Sequence, residues 1–217
     1  MKRFEDRIDA GQQLAEALKK YQDEQGVLIL ALPRGGVPVA YEIASILHLP
    51  MTVFIVRKLG VPGHEELAMG ALAEENICIM SDGLVKQLGI SDEQVRFVVE
   101  KEKEELKRRI QYYRQAQALP SFLKKTIILV DDGIATGSTM KAAIIAIRTC
   151  QPKEIILAVP VASQDSLSEL SRLVDKVVCL MSPEPFYSVG QWYEAFPQTS
   201  DEDVIALLEK SKGQKSE

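Results

Sequence analysis

Residues 127–139 read IILVDDGIATGST, an apolar run that ends in two adjacent acids and a short loop rich in glycine and hydroxyls. The carboxylates of Asp131 and Asp132 repel one another and gain little by packing, yet both can accept hydrogen bonds from a pair of vicinal hydroxyls, as acidic residues do when they hold a ribose. Gly133, Ile134, Ala135, Thr136, Gly137, Ser138 and Thr139 follow, and then the helical pattern MKAAIIAIR. Glycines let this backbone turn tightly, and N–H groups at a helix start form an anion site that the hydroxyls of Thr136, Ser138 and Thr139 reinforce. Ala135 to Thr139 are therefore the candidate phosphate cradle, and a ribose 5-phosphate would satisfy acids and loop together. In an ordinary strand-to-helix turn Asp132 and Thr136 would merely cap. Either half alone fits that reading, whereas both halves within nine consecutive residues favour the ligand. The stretch is not a Walker A loop, because no Lys precedes Ser138, nor a dinucleotide GxGxxG.

A second anion site is predicted in VLILALPRGGVPVA, where an apolar strand ends in Pro33, Arg34, Gly35 and Gly36 before a helix. The glycines permit close backbone approach and Arg34 offers a guanidinium suited to bidentate phosphate contact. Pro38 is compatible with the first turn of the helix. A tight turn carrying a surface Arg is the plainer alternative. A third element, RKLGVPGHEELAMGALAEE, follows MTVFIV. Gly60, Pro62, Gly63 and Gly70 make it a poor regular element, while Arg57, Lys58 and His64 give it positive charge; it is expected to be a mobile loop.

These three sites need a scaffold. Apolar β-type runs lie at Val27–Leu32, Met51–Val56, Asn76–Met80, Thr126–Val130, Glu154–Val161 and Lys176–Leu180, with helical patterns between most of them. Near-continuous apolar strands separated by helices predict an α/β core, a parallel sheet covered on both faces. Outside that alternation stand four segments: an amphipathic helix over Arg7–Tyr21, a charged helix over Ser91–Ala118 opening on a capping box of Ser91 and Gln94, the aromatic stretch Met181–Phe196, and a short helix from Asp201 capped by Ser200. The mixed charges of the long helix read as intrahelical pairs. From Ser211 the tail is polar and expected to be disordered.

A chain of 217 residues with 46% hydrophobic and 26% charged residues can bury one full core. The net charge of -5 argues against a protein whose main ligand is a nucleic-acid backbone. No apolar run is long enough to span a bilayer and the N-terminus lacks the apolar core of a signal peptide, so a cytoplasmic location is expected. Cys78, Cys150 and Cys179 are scattered through apolar stretches and read as buried thiols rather than metal ligands. His48 reads as a surface or helix-end residue.

The acidic turn and its loop resemble the signature of the type I phosphoribosyltransferases: an apolar strand, two acids and a TGxT-like loop. That resemblance implies an open, mostly parallel twisted sheet with helices on both faces plus a small hood subdomain. The core would span residues 22–180, including the long helix at 91–118, with hood elements at 1–21 and 181–210 and a disordered tail at 211–217. It implies 5-phosphoribosyl 1-pyrophosphate as donor, a nitrogen nucleophile as acceptor, and Mg²⁺ held mainly through the donor rather than by protein ligands. Asp131 and Asp132 would hold the ribose, Ala135 to Thr139 the 5-phosphate, and Arg34, Gly35, Gly36, Arg57 and Lys58 the pyrophosphate. The third element would close over the ligand and exclude water. Relatives acting on 6-oxopurines carry a carboxylate three residues past the second acid; that position here is Ala135. The loop is thus more like that of adenine phosphoribosyltransferases, which share an RKxGxxPG-like stretch matched approximately by Arg57, Lys58, Gly60, Pro62 and Gly63. Glu65 and Glu66 become the candidates for proton transfer, needing desolvation to act as bases. Acceptor choice would reside in the hood, where Phe186, Tyr187, Trp192 and Tyr193 could sandwich a base or could form the hood's own core. The opening FxDRxxAGxxLA, present as Phe4, Asp6, Arg7, Ala10, Gly11, Leu14 and Ala15, is similar to a group of uncharacterised members whose acceptor the resemblance does not specify. The expected partners are the donor, a small-molecule acceptor and a second copy in a homodimer, with no nucleic acid and no membrane; the expected setting is nucleotide metabolism. A regulator that senses the donor without catalysis is the rival reading.

Overall fold

The structure is a computed structural model that describes residues 3–74, 77–115 and 117–213; the side chain of Glu66 lies outside the description. In chain order its elements are α1 (Arg7–Ala17), a 3-10 turn (Lys19–Tyr21), β1 (Val27–Ala31), α2 (Gly36–Leu47), β2 (Met51–Val53), β3 (Val56–Val61), β4 (His64–Ala73), β5 (Ile77–Met80), α3 (Asp82–Gln87), α4 (Asp92–Arg114), β6 (Thr126–Val130), α5 (Ser138–Thr149), β7 (Glu154–Val161), α6 (Gln164–Leu170), β8 (Lys176–Met181), a second 3-10 turn (Gly190–Trp192) and α7 (Asp201–Gly213).

The unbroken apolar runs are buried on both sides. Ile29, Ile128 and Ile156 face a core with Leu14 of α1, Ile43 of α2 and Val204 of α7. Leu30, Ile127, Leu129 and Leu157 face a second core with Ile144 and Ile147 of α5. Burial of both faces removes any pressure for polar alternation, which is why these strands look continuous in sequence. The sheet is parallel throughout, in the order β2-β1-β6-β7-β8. β1 and β6 are neighbours in the register Ala31↔Val130. From β1 the chain runs outward to β2, and from β6 outward to β7, over helices on opposite faces. The loops after β1 and β6 therefore diverge from a common edge, the crevice where open α/β sheets bind ligands.

Three expectations change. Met51–Val56 is not one strand: β2 ends at Val53, Phe54 and Ile55 are buried in the core, and β3 starts a separate antiparallel sheet, β3-β4-β5. Hydrophobicity runs straight through the break because both sides of it are buried, and Glu74 stabilises the break by accepting from Ile55 N at 2.8 Å. The segment expected to be irregular is instead the β3–β4 hairpin, with Val61 paired to His64 across Pro62 and Gly63. Pro62 fixes its own φ and Gly63 adopts φ 77°, the requirements of a tight turn. Gly60 and Gly70 lie where a Cβ would come within 2.7 Å of Glu65 O and 2.4 Å of Ile79 O, so they permit strand approach rather than break the strands. Cys78, on β5, is exposed, not buried; Cys150 and Cys179 are partly covered.

The remaining boundaries shift modestly. α4 keeps its Ser91–Gln94 capping box but ends at Arg114, where Gln115 takes the left-handed conformation at φ 47°. α7 extends through Gly213, so Ser211 to Gly213 are helical rather than a tail, and residues 214–217 lie outside the description, as does Asn76 of the expected fifth run. His48 closes α2 on its exposed end. Among the described residues no helix is long and apolar enough to cross a membrane.

Candidate active site

β6 delivers Asp131 and Asp132 to the shared edge, directly beside the loop that follows β1. Leu32 N donates to Val130 O at 2.9 Å and Gly36 N to Leu32 O at 3.1 Å, so this loop folds back over the acidic turn. The Pro33–Arg34 peptide is cis. A Cβ on Gly35 would lie 2.0 Å from Asp132 Oδ2, and one on Gly36 would lie 2.8 Å from Val130 O. The two glycines are thus required by contact with the acidic turn itself. Gly35→Ala is expected to cost about 1–3 kcal/mol, the usual range for overpacking. Urea denaturation measures it, and an unchanged midpoint would mean that Asp132 has room to move aside.

The acidic pair is more enclosed than adjacent exposed carboxylates would be. Asp131 Oδ1 accepts from the backbone N–H of Asp132 at 2.9 Å. Burial, and then the neighbouring charge of Asp132, hold the Asp131 carboxyl well above the usual carboxylate range. Asp132 is also raised by burial, but Arg7 opposes the shift. Arg7 donates through Nε to Asp132 Oδ2 at 2.9 Å, and its Nη2 lies 2.7 Å from the same oxygen. Tyr193 donates its hydroxyl to the backbone carbonyl of Asp132 at 2.6 Å. Sequence reasoning placed Arg7 only in a motif and did not foresee this pairing; the motif's Asp6 caps α1 and so sets Arg7 at its first turn, accepting from Ile8 N and Asp9 N.

The loop after the acids opens to solvent at the start of α5. Ala135, Thr136, Ser138 and Thr139 are exposed on it, and the half-buried Gly137 caps the helix at φ 71°. The hydroxyls of Ser163 and Ser166 each donate to Ala135 O at 2.7 Å, which fixes the loop from behind. A 12-residue helix starting at this loop places the positive end of its dipole there.

Other candidate residues are distributed unevenly. Arg34 stands 3.6 Å from Asp201, the first residue of α7, which also accepts from the Tyr113 hydroxyl at 2.5 Å. Arg57, Lys58 and Glu65 instead line a groove of about 700 Å³ between the β3–β4 hairpin and α4, whose walls include none of residues 34–36 or 131–139. Arg57 is held there by Glu102, Nε to Oε2, at 2.8 Å. Lys58 and Glu65 are exposed, and the Glu66 side chain lies outside the description. Of the four aromatics, Tyr193 is 3% exposed, with centroids 5.4 Å from Phe4 and 4.8 Å from Phe196, and belongs to a small core with Ala10 and Val161. Phe186 and Trp192 pair at 6.3 Å beside that core, and Tyr187 is 81% exposed.

The phosphoribosyl transferase domain family matches residues 2–191. A Mycobacterium tuberculosis protein (strain CDC 1551 / Oshkosh), provisionally named a phosphoribosyl transferase, is 41% identical over 211 residues, covering 97% of this chain and 47% of that protein. Its counterpart in strain ATCC 25618 / H37Rv matches to the same extent. The chain thus spans about half the length of these curated relatives. Among solved structures, that of TT1426 from Thermus thermophilus superposes with a TM-score of 0.84 at 35% identity, covering 96% of this chain and 98% of that one.

Proposed function

The chain belongs to the phosphoribosyl transferase family, and on that premise we propose that it transfers the 5-phosphoribosyl group from 5-phosphoribosyl 1-pyrophosphate to a nitrogen nucleophile, a purine or pyrimidine base, releasing pyrophosphate. The observation that carries this reading is the packing of Gly35 and Gly36 against Asp131 and Asp132, which sets an arginine-bearing loop, two acids and an amide loop along one sheet edge. Ribose hydroxyls donate to the acids, the 5-phosphate sits on the N–H groups and hydroxyls of Ala135 to Thr139, and the pyrophosphate lies along Arg34, Gly35 and Gly36.

The nucleophile's lone pair forms the new bond to the anomeric carbon as the bond to the pyrophosphate oxygen breaks, and that electron pair leaves with pyrophosphate. Arg34 and the loop amides meet the negative charge growing on the leaving group, while the acids face the cationic ring. Lys58 and Arg57 join them when the hairpin closes, Arg57 exchanging Glu102 for pyrophosphate. Glu65 or Glu66, desolvated by that closure, takes the proton released by the acceptor. Phe186, Tyr187 and Trp192 offer aromatic faces to the acceptor from the hood. Among the described residues no three His, Cys, Asp or Glu side chains converge as a metal site. Mg²⁺ would be held mainly through the donor's oxygens rather than by protein ligands, and would supply positive charge against the leaving pyrophosphate.

The test is pyrophosphate release from the donor with Mg²⁺ across a panel of bases and amines. Turnover with at least one acceptor, lost on chelation by EDTA, is the expected outcome. Donor binding without release for any acceptor would favour the donor-sensing regulator instead.

A further inference from the structure

Arg7 lies far from the acids in sequence and is nevertheless the charged group committed most closely to them. The residue is 9% exposed and every edge of its guanidinium is used. Nε and Nη2 converge on Asp132 Oδ2, Nη1 donates to Pro197 O at 2.7 Å, and the plane stacks on Phe196 with 3.8 Å from Cζ to the ring centroid. Gly35 packs against the same oxygen, where even a methyl would overlap it. One carboxylate oxygen is therefore held between α1 and the loop after β1, and the grip of Arg7 falls on Oδ2 rather than on Oδ1.

We propose that Arg7 is a positioning residue for the donor's ribose, holding Asp132 by Oδ2 so that Oδ1 is presented to the ribose hydroxyls. The inference rests on the phosphoribosyl-transfer reading above and assigns to the N-terminal helix a part in donor recognition. A planar guanidinium suits this role because it can grip the carboxylate, cap the Pro197 carbonyl and stack on Phe196 at once; Lys could supply only the charge. Phe196 and Pro197 orient Arg7, Arg7 orients Asp132, and the segment carrying them is docked by Phe4 N donating to Trp192 O at 3.0 Å and Glu194 N to Phe4 O at 2.8 Å.

Calorimetric titration with 5-phosphoribosyl 1-pyrophosphate, and separately with inorganic pyrophosphate, distinguishes positioning from general support. Arg7→Met is expected to weaken donor binding by about 10- to 100-fold, the scale of a lost charge-assisted contact, while pyrophosphate alone binds as in the unaltered chain. Arg7→Lys should recover part of the loss. In an Asp132→Asn background, Arg7→Met should add little, because both changes remove one unit. Should Arg7→Met fail to fold, Arg7→Lys and Phe196→Leu carry the test, each expected to weaken donor but not pyrophosphate binding. Donor binding unaffected by every one of these changes, equal loss for donor and pyrophosphate, or losses that multiply with Asp132→Asn would overturn the role of Arg7. If Asp132→Asn abolishes donor binding while the Arg7 variants do not, only this inference fails; if the unaltered chain does not bind the donor, the functional reading falls with it.

Discussion

Asp131→Asn is expected to make this protein more stable and remove its turnover. Asp131 is buried beside a second carboxylate, so folding disfavours its charged form, and its pKa in the folded chain is raised. The sign follows from linkage: an acid whose pKa is raised by folding contributes stability below its unfolded pKa, and that contribution is lost as pH rises through the folded value. Above the unfolded pKa, the unfolded chain's preference for the charged carboxylate opposes folding. Asn keeps the side-chain oxygen that accepts from Asp132 N at 2.9 Å and removes the charge. Each kcal/mol of relieved repulsion would raise the melting temperature by roughly 2–4 °C in a chain of this size. The gain should shrink as pH falls toward the unfolded pKa of about 3.9, below which Asp131 is neutral in both states. Because the donor's hydroxyls need a carboxylate acceptor, pyrophosphate release should fall by about 100-fold or more, the scale of a lost transition-state contact. Melting curves from pH 4 to 8 and a pyrophosphate assay measure the two effects. An Asn variant that is less stable at pH 8, or one that turns over normally, would remove Asp131 from the site.

The second large effect lies outside the site, at the pair formed by Glu74 at the end of the β3–β4–β5 sheet and Arg114 at the end of α4. Their side chains are 1% and 7% exposed and hydrogen-bonded to each other, and Glu74 also accepts from Ile55 N. Arg114 Nε and Nη1 are buried with no hydrogen-bond partner among the described residues. Removing one member leaves a buried charge uncompensated, so Arg114→Met or Glu74→Gln should cost about 3–5 kcal/mol, a drop of roughly 10 °C in melting temperature. Replacing both by Met removes two desolvated charges and the two unpartnered guanidinium nitrogens; it should be neutral or stabilising by about 1–4 kcal/mol, less the lost bond to Ile55 N. A double-mutant cycle by urea denaturation gives both numbers. Additive losses would mean that the two side chains do not act as a pair.

The pair also shows why some of the chain is not legible in its sequence. In sequence, Glu74 and Arg114 look like two more charges in stretches full of them. Gly60, Pro62, Gly63 and Gly70 suggested irregular backbone because glycine and proline disfavour strands locally, yet close strand approach and a two-residue turn require those same residues. Tyr193 could not be told from Tyr187, since both are aromatic residues in one turn-rich stretch; Phe4, far away in the chain, covers one of them.

By itself the sequence determined the parallel core and the location of the glycine-rich loops after β1 and β6. A strand buried on both faces must be apolar along its whole length, and a backbone that cradles an anion must carry glycines and hydroxyls beside a helix start; both are local demands, written within about five to ten consecutive residues. Tertiary structure alone decided which charges meet. Arg7 and Asp132 are separated by 125 positions and Arg7 and Pro197 by 190. No local pattern records such a pairing, because its stability depends on burial and on partners that only the folded chain brings together.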